Sequence, residues 1–150
     1  LGLRRALDAG AAFDARTIDQ QYPYTPVGDT PLVQALKAKH GACARALLDA
    51  GAGHEHANTF GQTALYWAAQ YGDAATTEAL LGRGADPNAL PTNGRSPLHV
   101  AAAEGHEAVV ASLLEAGADS SLATWNGRTP AQLAQLRGHH ALAKRLDPTN

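Results

Sequence analysis

The segment "EAVVASLLEAG", residues 107–117, sets apolar side chains at Val109, Val110, Leu113 and Leu114 among polar or small neighbours. That spacing follows the 3.6-residue turn and predicts a short amphipathic helix, ended by Gly117. Just upstream, "SPLHVAAAEGH" (96–106) predicts another short helix over Pro97–Glu104, with Gly105 as its left-handed stop. The same alternation recurs along the chain. Thr or Ser, a small residue and then an apolar one open "TPLVQA" at Thr30, "TALYWA" at Thr63, "SPLHVA" at Ser96 and "TPAQLA" at Thr129, in steps of 33 residues. Gly28, Gly61, Gly94 and Gly127 stand two places before these openings. "LLDAGA", "LLGRGA" and "LLEAGA" keep the same step with Gly51, Gly84 and Gly117, and a degenerate "ALDAGA" ends at Ala11.

Each unit has a physical reading. Thr30, Thr63, Ser96 and Thr129 are N-caps, whose side-chain oxygens accept a free N–H of the first turn. Pro31, Pro97 and Pro130 follow at the first helical position, where a missing N–H costs nothing; Ala64 takes that place in one unit. Gly72 and Gly138 stop their helices as Gly105 does. A second helix follows, and a polar stretch with turn residues leads to the next glycine. The unit is helix, turn, helix, extended loop.

The run "GRSPLHVAAAEGHEAVVASLLEAGAD" closely resembles the ankyrin repeat, and the period is that family's. The resemblance covers essentially the whole chain. It implies an all-α fold, an ankyrin-repeat solenoid of stacked helix-turn-helix units with β-hairpin finger loops. The expected organisation is a single domain over 1–150: a partial repeat at 1–24 with an inserted finger loop, repeats at 25–57, 58–90 and 91–123, and a C-terminal capping repeat at 124–150. His99 falls on the family's "TPLH" histidine and His106 just after the turn glycine. The resemblance therefore implies a scaffold role for both, and not a metal or acid–base site.

The departures carry more information. Gly10 to Gly51 is 41 residues instead of 33, so the first finger holds eight extra residues within "ARTIDQQYPYTPVGD". Tyr22 and Tyr24 lie there with Pro23 and Pro26; the insertion reads either as a stiffened binding protrusion or as a tolerated surface loop. "LYWA" replaces the usual "LHLA", which predicts a core Trp67 and a Tyr66 covering the finger base. Lys39 stands where a turn glycine is expected, with Gly41 two places on, so that turn is expected to be rebuilt. The last unit is more polar, as a terminal repeat must be. Leu1, Leu3 and Leu7 read as the last helix of a unit whose beginning lies upstream, or else as an atypical helical cap.

Members of the family bind proteins through finger tips and the exposed side of the first helices. Carried over by position, the resemblance implies contacts at Asp29, then at Phe60, Gln62 and Tyr71, then at Arg95 and Glu104, and finally at Trp125 and Arg128. Tyr22 and Tyr24 join them from the insertion. Aromatic side chains and arginine are the common anchors of interfaces, and aromatics are scarce here at 5%. Phe60 and Trp125 could instead pack on neighbouring fingers.

Charge and composition narrow the classes. The formal charge is −2, which suggests neither nucleic acid nor an anionic membrane as partner. No apolar run reaches the ~18–20 residues a membrane helix needs. Cys43 is the single cysteine, so no intrachain disulfide is possible, and it reads as core. His54 and His56 make an incomplete metal pair in a loop, and His139 and His140 are adjacent and diverge. Asn88 reads as a loop brace. No nucleophile motif, phosphate loop or paired-carboxylate spacing appears, so neither enzyme activity nor a cofactor or metal is expected. The expected protein is an intracellular, cytoplasmic monomer that binds another protein. Two other classes stay open: a regulatory or targeting segment of a larger enzyme or channel, and a structural spacer or scaffold.

Overall fold

The computed structural model describes residues 28–147, so Tyr22, Tyr24 and the rest of the inserted loop before Gly28 lie outside the described residues. Eight short helices fill this span: α1 (Pro31–Lys37), α2 (Gly41–Asp49), α3 (Ala64–Tyr71), α4 (Ala74–Gly82), α5 (Pro97–Glu104), α6 (Glu107–Glu115), α7 (Pro130–Leu136) and α8 (His140–Leu146).

The first helix of every pair begins as its cap dictates. The hydroxyls of Thr30, Thr63, Ser96 and Thr129 accept the backbone N–H of Val33, Tyr66, His99 and Gln132 at 3.2, 3.4, 3.4 and 3.3 Å. Each such cap contributes about 1 kcal/mol. Gly72 and Gly105 close α3 and α5 in the left-handed region, at φ 73° and 76°. Gly138 adopts it one residue beyond the Arg137 cap of α7. The turn at Lys39 is not rebuilt as expected: the lysine itself takes φ 61°. Its Cβ must tolerate a conformation that costs a non-glycine residue about 1 kcal/mol or more.

None of these helices exceeds nine residues. Isolated helices shorter than ~12–15 residues are marginal in water, so their stability comes from stacking. α1, α3, α5 and α7 pack side by side in one layer; α2, α4 and α6 form a second, and α8 pairs with α7. Leu32, Leu65 and Leu98 repeat one core position, and Leu47, Leu80 and Leu113 another; all are at most 1% exposed. Ala68, Ala69, Ala101 and Ala102 are fully buried, and their small side chains let neighbouring helices approach closely. Cys43 lies in this core.

Two packing expectations need correction. Leu114 is 37% exposed, because Val109, Val110 and Leu113 already fill the inner stripe of α6. Trp67 is only partly buried at the edge of the core, where its ring lies along Tyr71. No strand occurs among the described residues. The loops before α3 and α7 are turns closed by backbone bonds that include Asn58 N–H to the Gln62 carbonyl and Thr124 N–H to the Arg128 carbonyl, at 3.1 and 2.9 Å.

Candidate functional site

The finger loops and the first helices carry the residues singled out by sequence. Asn58 organises one finger: its side-chain oxygen accepts the backbone N–H of Phe60 and Gln62, at 3.0 and 3.1 Å. Its amide donates to Gln62 Oε1 at 3.0 Å and, across a repeat, to Asp29 Oδ1 at 2.7 Å. Fingers are then tied tip to tip. Thr92 N–H donates to the Phe60 carbonyl at 2.9 Å, and Trp125 Nε1 donates to the Thr92 carbonyl at 2.7 Å. The indole also lies over Gly94, where a Cβ would come within 2.9 Å of the ring. Asn88 braces the opposite edge, accepting Asp119 N–H at 2.8 Å and donating to the Gly117 carbonyl at 3.2 Å.

His99 shows how the stretch "SPLHVAAAEGH" serves the scaffold. The ring is fully buried. Nε2 lies 3.1 and 3.2 Å from the carbonyls of Leu122 and Arg128, which can only accept, so Nε2 carries the proton and donates. Nδ1 then accepts the Ser96 N–H at 3.1 Å and the Ser96 hydroxyl at 2.8 Å, completing a capping box. Burial holds its pKa below the ordinary histidine value; the two carbonyl bonds oppose that shift and the nearby Arg95 charge reinforces it. A neutral imidazole thus joins α5 to the next finger loop. His106 donates from Nε2 to the Gln70 carbonyl at 3.1 Å and covers Gly72, leaving only 2.6 Å for any Cβ there. His139 covers Gly105 in the same way.

Of the expected contacts, Phe60, Tyr71 and Trp125 are exposed to 51%, 37% and 74%. Phe60 offers its ring to solvent while its backbone is held. Trp125 does two things at once: its N–H and one ring face brace the neighbouring finger, and the rest of the indole is open. Arg128 is exposed, Arg95 and Gln62 are half-buried, and Glu104 is exposed with Arg137 Nη1 3.6 Å away. Asp29 is different. It is 3% exposed, and its carboxylate receives Asn58 and the Lys37 ammonium, the latter at 2.7 Å. The geometry makes Asp29 a brace of the first described finger, not a contact.

Trp67 and Lys39 were missed as candidates. Trp67 and Tyr71 are four residues apart on α3, hence on one face, and their rings stack at 5.8 Å with 26° between planes. Tyr66 meets Trp67 edge-on at 5.5 Å and its hydroxyl accepts from Asn93 Nδ2 at 3.3 Å, as expected of a residue covering a finger base. Lys37 lies 4.7 Å from the Trp67 ring and Lys39 5.2 Å from the Tyr71 ring, within cation–π range. The four-residue step from Trp67 to Tyr71 was the available signal. A shallow groove of about 470 Å³ beside α7 adds Leu136, which is 60% exposed, next to Arg128.

Among the described residues, no group of three His, Cys, Asp or Glu is placed to hold a metal ion, and no helix is long and apolar enough to cross a membrane. A family model described as ankyrin repeats (3 copies) matches the chain over residues 6–91 and 79–147. No curated protein matches it.

Proposed function

We infer that this chain, which belongs to the ankyrin-repeat family, is a protein-recognition module whose finger loops and first helices hold a partner protein. Ankyrin repeats are generally protein–protein interaction modules and typically non-catalytic. The observation that carries the reading is the exposure of Phe60 and Trp125 on fingers that are hydrogen-bonded to one another, and of Tyr71 at the end of α3. Large rigid side chains on a preordered frame lose little freedom on binding, and this favours affinity. The proposed contacts are Phe60, Gln62, Tyr71, Arg95, Glu104, Trp125 and Arg128, with Tyr22 and Tyr24 from the insertion; Asp29 contributes by holding its finger in place. The working unit is proposed as one monomeric domain with repeats at 25–57, 58–90 and 91–123, closed by the unit at 124–150, in a cytoplasmic setting that suits the single buried thiol of Cys43.

The test is a paired capture from the source organism's lysate. One bait is the native chain; the other carries Phe60→Ala, Tyr71→Ala and Arg128→Ala and is checked for native circular dichroism. Proteins retained by the first and lost from the second support the assignment. Equal retention by both moves recognition away from this face, and retention by neither leaves a structural spacer as the function.

A further inference from the structure

We propose that the finger-and-first-helix face receives an acidic, extended segment of its partner, with carboxylates meeting Arg95 and Arg128 and an apolar side chain against Phe60. This rests on the protein-recognition reading of the same face and names the chemistry of what binds there.

Charge is segregated between the two sides of the stack. The fingers and first helices (28–39, 58–71, 91–104 and 124–137) carry Lys37, Lys39, Arg95, Arg128 and Arg137 against only Asp29 and Glu104. Both carboxylates are already engaged, Asp29 by Lys37 and Glu104 by Arg137. Lys39, Arg95 and Arg128 have no carboxylate within ion-pair distance among the described residues. The other side is the reverse. Arg45, Arg83 and Arg145 are each paired, with Asp73, Asp49 and Glu107 at 3.5, 2.9 and 3.6 Å. In the second helices and the loop halves that follow them (40–57, 72–90, 105–123 and 138–147), carboxylates outnumber cations, nine to four. In a chain of net charge −2, the described residues thus present a cationic face with its own acids engaged.

The cations are also ordered. One repeat position, just before each N-cap, reads Asp29, Gln62, Arg95, Arg128 along the stack, turning from acidic to basic. Arg95 and Arg128 occupy successive fingers, and the bond from Thr92 N–H to the Phe60 carbonyl sets the Phe60 finger directly beside that of Arg95. An extended chain laid across the fingers meets an apolar ring and then two guanidiniums that no described carboxylate pairs. Such a ladder favours alternating carboxylates, since guanidinium takes carboxylate oxygens in a fork. A nucleic acid would bring a phosphate with every nucleotide past few free cations, with an acidic surplus behind them, and is the poorer match.

The experiment selects a random displayed-peptide library on the full chain and sequences the peptides retained. Affinities of synthetic winners are then measured by fluorescence polarisation against four proteins: native, Arg95→Glu/Arg128→Glu, Arg95→Gln/Arg128→Gln, and Arg83→Glu as a control on the opposite face. Neither the Arg95 nor the Arg128 side chain makes a hydrogen bond or ion pair among the described residues, and thermal melts check that the variants stay folded. The expected result is enrichment of Asp and Glu over the input library and weakening with added salt. The Glu pair should lose roughly tenfold or more in affinity, the Gln pair should lose less, and the control should stay within about twofold. Winners without acidic enrichment, or indifferent to both double variants, overturn the proposal. If such winners are nonetheless lost on Phe60→Ala/Tyr71→Ala, recognition by this face stands and only its acidic chemistry falls. A folded chain that retains no peptide overturns both readings, and tighter binding of oligo(dT) than of any peptide gives the face to nucleic acid.

Discussion

The units built on α3 and α5 follow one template and part company where they leave the core. Their shared positions are interchangeable: Leu65 and Leu98, Ala68 and Ala101, Ala69 and Ala102 are all buried. Where α5 has His99, α3 has Tyr66; where α5 has Val100, 1% exposed, α3 has the half-exposed Trp67; where α5 ends on Glu104, α3 ends on Tyr71. The histidine reaches two carbonyls of the following finger, whereas the tyrosine reaches one asparagine side chain. Side chains turned toward the next unit are constrained by close packing, and those turned toward the open face are free to differ. One unit therefore serves cohesion more, and the other recognition.

The sharpest test of that contrast is deletion of the two linking side chains. His99→Ala leaves a cavity and strips the Leu122 carbonyl of its partner, while Arg128 keeps the Thr124 N–H, and should lose about 3 kcal/mol in urea denaturation. Tyr66→Phe, which removes only a 3.3 Å bond to Asn93, should lose less than about 1 kcal/mol. Equal losses would erase the distinction. Next in size is the turn. Gly105→Ala forces a Cβ into the His139 ring at φ 76°, and should lose about 2 kcal/mol. Lys39→Gly relieves the same backbone conformation at the other end of the stack and should gain roughly 1 kcal/mol, read as a higher midpoint.

The contrast also has a pH signature. Because burial depresses the pKa of His99, the unfolded chain binds the proton more readily. The contribution of His99 is fully present above its ordinary value of about 6.5 and is lost as pH falls from there toward the folded-state value. Melting temperatures followed from neutral pH downward should fall through that window, and the His99→Gln protein should show a shallower fall. The smallest effect is expected at the finger tip: Trp125→Phe keeps the ring over Gly94 but gives up the bond to Thr92, a loss of about 0.5–1 kcal/mol by the same denaturation.

Most of the frame was legible because it is written locally. The hydroxyl caps, the prolines after them and the stop at Gly105 depend on neighbours within one turn, and the 33-residue step shows that they belong together. The Lys39 turn was misread because local rules disfavour a lysine at positive φ, while the stacking of α1 and α2 against their neighbours holds it there. Asp29 looked like a contact because its partner Asn58 lies 29 residues away, a pairing that no local pattern reveals. Trp67 looked like core because its position is held by the buried Val100 in the neighbouring unit; here the indole lies at the core edge, stacked along Tyr71. The segregation of ion pairs was hidden for the same reason, since Arg45, Arg83 and Arg145 find carboxylates 28 to 38 residues away in sequence.

Thr92 gives its N–H to one neighbouring finger and its carbonyl to the other. Mechanically, three fingertips are thereby coupled in series, like planks fastened edge to edge. A load applied at Phe60 passes through Thr92 to Trp125 before any single loop can bend. A partner pulled away from this face works against the stiffness of the row, and a partner that grips two tips must release both before either recoils.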